Sequence, residues 1–99
     1  MRAPKQLGPN GRRLWRWLDG NFDGLEDHQP LALELCILSD RLSEVRRSIE
    51  QNGVWLDGRK NPLVDVEVKL HTAFARAWKL LGLNDDPPPP ARPVGRPPQ

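Results

Sequence analysis

The fold is decided by residues 30–82, which read PLALELCILSDRLSEVRRSIEQNGVWLDGRKNPLVDVEVKLHTAFARAWKLLG. Apolar residues in the first half recur at alternating steps of four and three, which predicts a helix with one apolar seam. This seam contains Leu31, Leu35, Leu38, Leu42, Val45 and Ile49. The second half has a matching seam of Leu63, Val66, Leu70, Ala73, Ala77 and Leu80. Two seams of similar length on either side of a short connection predict an antiparallel helical hairpin.

Helix-boundary residues frame both halves of the hairpin. Asp27 is the predicted N-cap of the first long helix, and Gly53 is its predicted end. Asn61 and Pro62 form an N-cap followed by a proline at the first helical position, so they predict the start of the next helix. Gly82 is its predicted end, where Leu83 can fold back in a Schellman motif. We therefore expect long helices over about 28–51 and 62–82.

The connection between these helices contains Asp57-Gly58, a pair typical of tight turns. Either a small β-hairpin or a plain loop is compatible with this signal. A shorter helix is predicted over about residues 10–19, before the hairpin. Between it and the hairpin, Phe22 and Leu25 are expected to anchor a turn on the core.

These elements predict an all-α fold, with a short N-terminal helix followed by a long antiparallel helical hairpin. The helical domain spans residues 9–84. Residues 1–8 are predicted to be a flexible basic arm. Residues 85–99 are rich in proline and are predicted to be an extended, disordered tail.

The third predicted helix carries a second apolar row, formed by Phe74, Trp78 and Leu81, which a lone two-helix hairpin cannot cover. Either the N-terminal helix or another subunit packs on this row, and we expect both in part. The predicted oligomer interface comprises Leu33, Ile37, Phe74, Trp78 and Leu81.

Charge is segregated along the chain. Residues 1–20 carry a net charge of +4, residues 21–51 carry −4, and residues 87–99 carry +2. Basic ends around an acidic middle are typical of a chain whose ends contact a polyanion, although solvated tails would show the same pattern. The candidate nucleic-acid contacts are Arg2, Lys5, Arg12, Arg13, Arg16, Arg59 and Lys60.

Catalytic signatures are weak. His28, His71 and Cys36 are too few for a metal cluster, so we predict neither a metal nor a cofactor. The segment 53–61 has two glycines but lacks the Lys and Ser or Thr that a phosphate-binding loop places directly after the second glycine. The acids of the first long helix, Glu34, Asp40, Glu44 and Glu50, are interpreted as solvated or inter-subunit charges. We therefore predict that the protein is not an enzyme.

The sequence shows neither a membrane-spanning segment nor a secretory signal. No apolar run approaches the roughly 18 residues of a membrane span, and the N-terminus lacks the apolar core of a secretory signal. The single Cys36 forms no intramolecular disulfide, which fits a reducing compartment. We expect a soluble intracellular protein.

Two stretches, LGPNGRRLWRWL at 7–18 and NGVWLDGRKNPLVDVEVKLHTAFARAWKLLGL at 52–83, together resemble the short terminase small subunits of tailed phages of high-GC hosts. The resemblance implies a non-catalytic viral genome-packaging protein in the host cytoplasm. Such a protein binds viral double-stranded DNA, forms a ring-like homo-oligomer through helical hairpins, and recruits and regulates the large terminase subunit. Many members carry a full helix-turn-helix before the hairpin, whereas one short helix stands here. This difference favours contacts with DNA phosphates over groove reading.

Two other functions fit the same residues. A small helical adaptor without DNA binding would use its Pro-rich tail to dock a protein partner. A small transcription regulator would need a longer recognition helix than residues 11–19 provide, so we rank it last.

Overall fold

The computed structural model describes residues 2–83, which form an all-α fold with one small β-hairpin whose two strands have two residues each. The helices are α1 (Pro9–Asn21), α2 (Gln29–Asn52) and α3 (Pro62–Leu80), and a short 3-10 turn (Leu25–His28) precedes α2. The strands β1 (Trp55–Leu56) and β2 (Arg59–Lys60) connect α2 to α3. Helices α2 and α3 form the predicted hairpin, and α1 packs against α2. The predicted Pro-rich tail at 85–99 lies outside the described residues.

The start of α3 confirms the predicted N-cap. The Asn61 side-chain oxygen accepts a hydrogen bond from the Leu63 N–H at 3.0 Å, and its Nδ2 donates to the Gly53 carbonyl at 2.9 Å. Gly53 ends α2 in a left-handed conformation with φ 86°, which glycine adopts without steric cost. Asn61 therefore joins the end of α2 to the start of α3.

The end of α3 is the predicted Schellman motif, although the helix stops at Leu80. Gly82 has φ 82°, and its N–H donates to the Lys79 carbonyl at 2.9 Å. The Leu83 N–H donates to the Trp78 carbonyl at 3.4 Å, and Leu83 packs against the core.

The prediction that Asp27 caps α2 is wrong. Asp27 lies inside the 3-10 turn, and α2 begins two residues later without a side-chain cap. The chain has already turned helically at this point, so the cap geometry is absent. Leu25 is buried and Phe22 packs against the core, as expected for the anchors of this turn.

Of the two alternatives for the connection, the structure contains the β-hairpin. Trp55 pairs with Lys60 and Leu56 with Arg59 in antiparallel register. Asp57 and Gly58 have positive φ values of 51° and 77°, the pattern of a type I′ turn.

The core lies where all three helices meet. Leu14, Trp15 and Leu18 of α1 are buried with residues of α2, with Trp78 of α3 and with Leu81 just after α3. The Trp17 ring stacks on Trp78 with centroids 5.6 Å apart. Trp78 of the second apolar row therefore packs against α1 of the same chain, and Phe74 stacks on Trp78.

This packing changes which face of α3 is buried. Leu80 and Val66, both assigned to the α3 seam from the sequence, are 67% and 39% exposed. Ala77 of that seam is buried. Because Trp78 contacts α1 while α3 also packs on α2, the buried face of α3 shifts toward Phe74 and Trp78, and one edge of the expected seam is left at the surface.

The segment before α1 differs from the expected flexible arm. Leu7 is 2% exposed and belongs to the core, and Ala3 packs against it. The apolar side chain of Leu7 therefore fixes the end of this segment, while Arg2 and Lys5 stay exposed. Among the described residues, no helix is both long enough and apolar enough to cross a membrane.

Candidate nucleic-acid interface

Helix α1 presents two different faces. Gly11, Leu14, Trp15 and Leu18 are buried, at the spacing of one helical face. Arg12, Arg13 and Arg16 are exposed. At about 100° per residue they occupy the opposite face, so three guanidinium groups point away from the core.

A carboxylate from α2 holds the N-terminus of α1. Asp40 Oδ2 accepts a hydrogen bond from the Gly8 N–H at 2.7 Å, and Oδ1 accepts one from the Gly11 N–H at 2.8 Å. Gly8 is the N-cap position and has no side chain to cap the helix. Asp40 therefore satisfies two backbone donors that a helix start leaves free, and its negative charge lies at the positive end of the helix dipole.

The two glycines allow this approach. A Cβ on Gly11 would contact Asp40 Oδ2 and would lie 2.9 Å from the Cys36 carbonyl oxygen. A Cβ on Gly8 would lie 3.0 Å from Asp40 Oδ1. The pair therefore permits the backbone of α1 to rest directly on α2.

These contacts of Asp40 correct the interpretation from the sequence, which grouped Asp40 with the solvated or inter-subunit charges of this helix. Its two contacts span 32 and 29 residues of sequence, so no local pattern near Asp40 predicts them. The signal that was available is on α1, where Gly8-Pro9 offers no side-chain cap. An uncapped helix start implies that the acceptor comes from elsewhere.

Cys36 lies beside this clamp and is fully buried. Burial, followed by the negative charge of Asp40, raises the pKa of the Cys36 thiol from 9.0 to about 12. The thiol is therefore protonated at neutral pH and behaves as a small apolar side chain, as predicted.

The basic arm lies next to the arginine face of α1. Arg12 Nη2 donates to the Lys5 carbonyl at 3.4 Å, and both side chains are exposed. Lys5 and Arg12, two of the predicted contacts, are therefore brought together.

Arg59 and Lys60 are not part of the same surface. They lie on the β-hairpin beyond the end of α2, whereas α1 starts against Asp40. The twelve residue-to-residue steps along the helix from Asp40 to Asn52 span about 18 Å. Lys60 also pairs with Asp65 at 3.0 Å, with both groups more than half exposed. The predicted basic residues thus form two separate sites within one chain.

The residues of the predicted oligomer interface are largely covered within the chain. Trp78 and Leu81 are 4% and 5% exposed, so neither offers surface to a second chain. Phe74, Leu33 and Ile37 are partly buried against the same core. The most exposed large apolar side chains of the described residues are instead Trp55 at 68%, Leu80 at 67% and Val68 at 59%.

Within residues 2–83, no group of three or more His, Cys, Asp or Glu side chains is arranged to hold a metal ion. No protein-family model matches the chain, and neither a curated protein nor a solved structure is detectably similar to it.

Proposed function

We propose that this protein is a non-catalytic DNA-binding adaptor that self-associates and acts as a terminase small subunit in viral genome packaging. In this role it binds viral double-stranded DNA, and it recruits and regulates the large terminase subunit. The function is the one implied by the resemblance of residues 7–84 to short small subunits.

The arginine face of α1 carries the proposal. Arg12, Arg13 and Arg16 stand on one exposed face, while the opposite face is buried and Asp40 holds the helix start. Three cations on a fixed helix suit the closely spaced phosphates of DNA, because their positions are set before binding. The exposed Lys5 beside Arg12 extends the same surface.

The contacts we propose are with the DNA backbone. A single short helix whose outer face carries arginines lacks the second helix that positions a reader in the major groove. Contacts with phosphates position a protein on DNA but carry no sequence information. Repetition of weak sites around an oligomer then supplies affinity that one chain lacks.

The proposal is tested by replacing Arg12, Arg13 and Arg16 together with Ala and measuring affinity for a double-stranded DNA fragment at several salt concentrations. We expect affinity to fall by roughly tenfold or more at low salt. The slope of log affinity against log salt should shrink by about 3 per chain, since each lost phosphate contact contributes about 0.9.

The matched control replaces Arg41, Arg47 and Lys69 with Ala. These residues are also exposed and also amount to three positive charges, but they lie outside α1. The control should bind like the wild type. Equal losses in both variants would mean that only net charge matters, and the choice of α1 would be wrong.

A wild-type protein without salt-dependent DNA binding would favour the alternative function, a helical protein-interaction adaptor. The observation that supports this alternative is a set of exposed apolar side chains at the connection between α2 and α3, namely Val54, Trp55 and Leu56. A capture experiment with the purified large terminase subunit separates the two, since only the packaging function requires that partner.

A further inference from the structure

The tip of the helical hairpin is an exposed apolar projection. Trp55 is 68% exposed, and its neighbours Val54 and Leu56 are 49% and 38% exposed. The Asn61 N–H donates to the Val54 carbonyl at 2.6 Å, and the tight turn closes the other end, so the backbone is held in place. Exposed tryptophans on rigid backbone are typical anchors of protein interfaces, because they bury a large area at low cost in conformational entropy.

A groove lies between α2 and α3, near the opposite end of the hairpin. Its volume is about 210 Å³. The apolar lining consists of Leu31, Leu38, Ala73, Ala77 and Leu80. Leu80 is 67% exposed there, and the groove also contacts one acid, Glu34, and one base, Arg76.

The tip cannot reach the groove of its own chain. Leu38 and Asn52 are joined by about 21 Å of continuous helix, and the β-hairpin follows the far end. Any contact between tip and groove therefore joins two chains. It uses a different surface on each chain, which is the geometry that generates rings when its rotation closes.

Charge favours a protein partner over DNA for this tip. Asp57, Arg59, Lys60 and Asp65 sum to zero, and Lys60 already pairs with Asp65. A polyanion thus gains no net attraction at this site. The groove offers Glu34 and Arg76, whose signs complement Arg59 and Asp57 of the tip.

We infer that the hairpin tip of one chain, anchored by Trp55, seats in the α2–α3 groove of a second copy of this chain. The inference rests on the self-association in the proposed function and is independent of DNA binding. It moves the interface from the buried Trp78 row to two surfaces that one chain leaves uncovered.

The test measures the solution mass of the full chain at micromolar concentration for Trp55→Ala and Leu80→Glu. Each variant should be monomeric where the wild type is oligomeric, with an unchanged helical circular dichroism spectrum. Val68→Glu is the matched control, since Val68 is 59% exposed on α3 but lies outside the groove. It should keep the wild-type mass.

The decisive measurement is the equimolar mixture of Trp55→Ala and Leu80→Glu. One chain retains an intact groove and the other an intact tip, so the mixture should form a 1:1 dimer and grow no further. A mixture that stays monomeric, or a single variant that keeps the wild-type mass, would overturn the inference. If Trp55→Ala keeps the wild-type mass but loses DNA affinity, the tip contacts DNA rather than a second chain.

The outcomes separate this inference from the proposed function. If the wild type is oligomeric and its mass does not change on replacing Trp55 or Leu80, only this inference is wrong. If the wild type is monomeric, both this inference and the self-association in the proposed function are wrong. Replacing Arg12, Arg13 and Arg16 tests DNA contact separately, because these residues lie on α1, outside both the tip and the groove.

Discussion

Asp40 on α2 and Gly11 on α1 are joined by a hydrogen bond of 2.8 Å from the Gly11 N–H to Asp40 Oδ1. The second carboxylate oxygen accepts from the Gly8 N–H, so one side chain caps a helix that begins 31 residues earlier in the chain. The exposed arginine face of α1 takes its orientation from this contact and from the buried face opposite. Asp40 therefore helps to position the candidate DNA-binding face through a tertiary contact.

We predict that Asp40→Ala lowers the free energy of unfolding by about 1–3 kcal/mol. The change removes a helix cap and leaves two backbone N–H donors without their acceptor. Urea denaturation followed by circular dichroism gives the value. Glu44→Ala, an exposed acid on the same helix, should change it by less than about 0.5 kcal/mol. Similar values for the two variants would refute the capping role.

The close approach of α1 to α2 predicts opposite effects for two glycines of one helix. Gly11→Ala should destabilise the fold by about 1–3 kcal/mol, since the added Cβ meets Asp40 and the Cys36 carbonyl. Gly20→Ala places its Cβ in open space and should stabilise by up to about 1 kcal/mol, because alanine is the better helix former. Thermal unfolding midpoints should move in opposite directions. A tolerated Gly11→Ala would contradict the close contact.

Asn61 is expected to be among the most sensitive polar residues of the described chain. It is 1% exposed and bonds to both Gly53 and Leu63, so Asn61→Ala should cost about 1–3 kcal/mol. Asn52→Ala is the control, since that exposed side chain bonds only to Ser48 nearby. Chemical denaturation of both variants makes the comparison. A small loss for Asn61→Ala would mean that the β-hairpin is held by other contacts.

The Cys36 thiol is predicted to be unreactive in the folded protein. Burial and the charge of Asp40 raise its pKa to about 12, so almost no thiolate forms at pH 8. A thiol reagent should label it slowly in buffer and rapidly in denaturant. A chain with Cys36→Ala and Val68→Cys, whose new thiol is exposed, should be labelled rapidly in both. Rapid native labelling of Cys36 would show that the core opens readily.

The same pKa predicts a pH dependence of stability. Because the folded pKa is raised above 9.0, the unfolded thiol releases its proton first as pH rises. The contribution of Cys36 to stability is therefore complete below about pH 9 and is lost progressively up to about pH 12. Stability curves of the wild type and Cys36→Ala should converge over this window.

Much of the fold was predictable because its signals are local. Asn61-Pro62 starts α3 and Gly53 ends α2 through bonds to residues nearby in sequence. Asp57-Gly58 favours a tight turn for the same reason, since the positive φ values belong to the turn residues. The predicted bounds of α2 agree with the structure to within one residue, but Asp27 is not its cap, because the 3-10 turn before the helix has no comparably specific sequence signal.

The candidate site was only partly predictable. The periodicity places Arg12, Arg13 and Arg16 opposite the apolar residues of α1, and the structure has this arrangement. The separation of Arg59 and Lys60 from this face, and the burial of Trp78, depend on which helices meet. Periodicity counts apolar residues on a helix, but it does not say which neighbour covers them.

The sequence by itself determined the helical hairpin, the Asn61 cap, the helix ends at Gly53 and Gly82, and the two-faced character of α1, because these depend on residues within a few positions of one another. Only the tertiary structure decided that α1 covers Trp78, that Leu80 and Trp55 remain exposed, and that Asp40 caps α1. The physical reason is that three helices compete for the same apolar faces. Side-chain volume and the close contact at Gly11, rather than local propensity, select the packing in which α1 rests on α2.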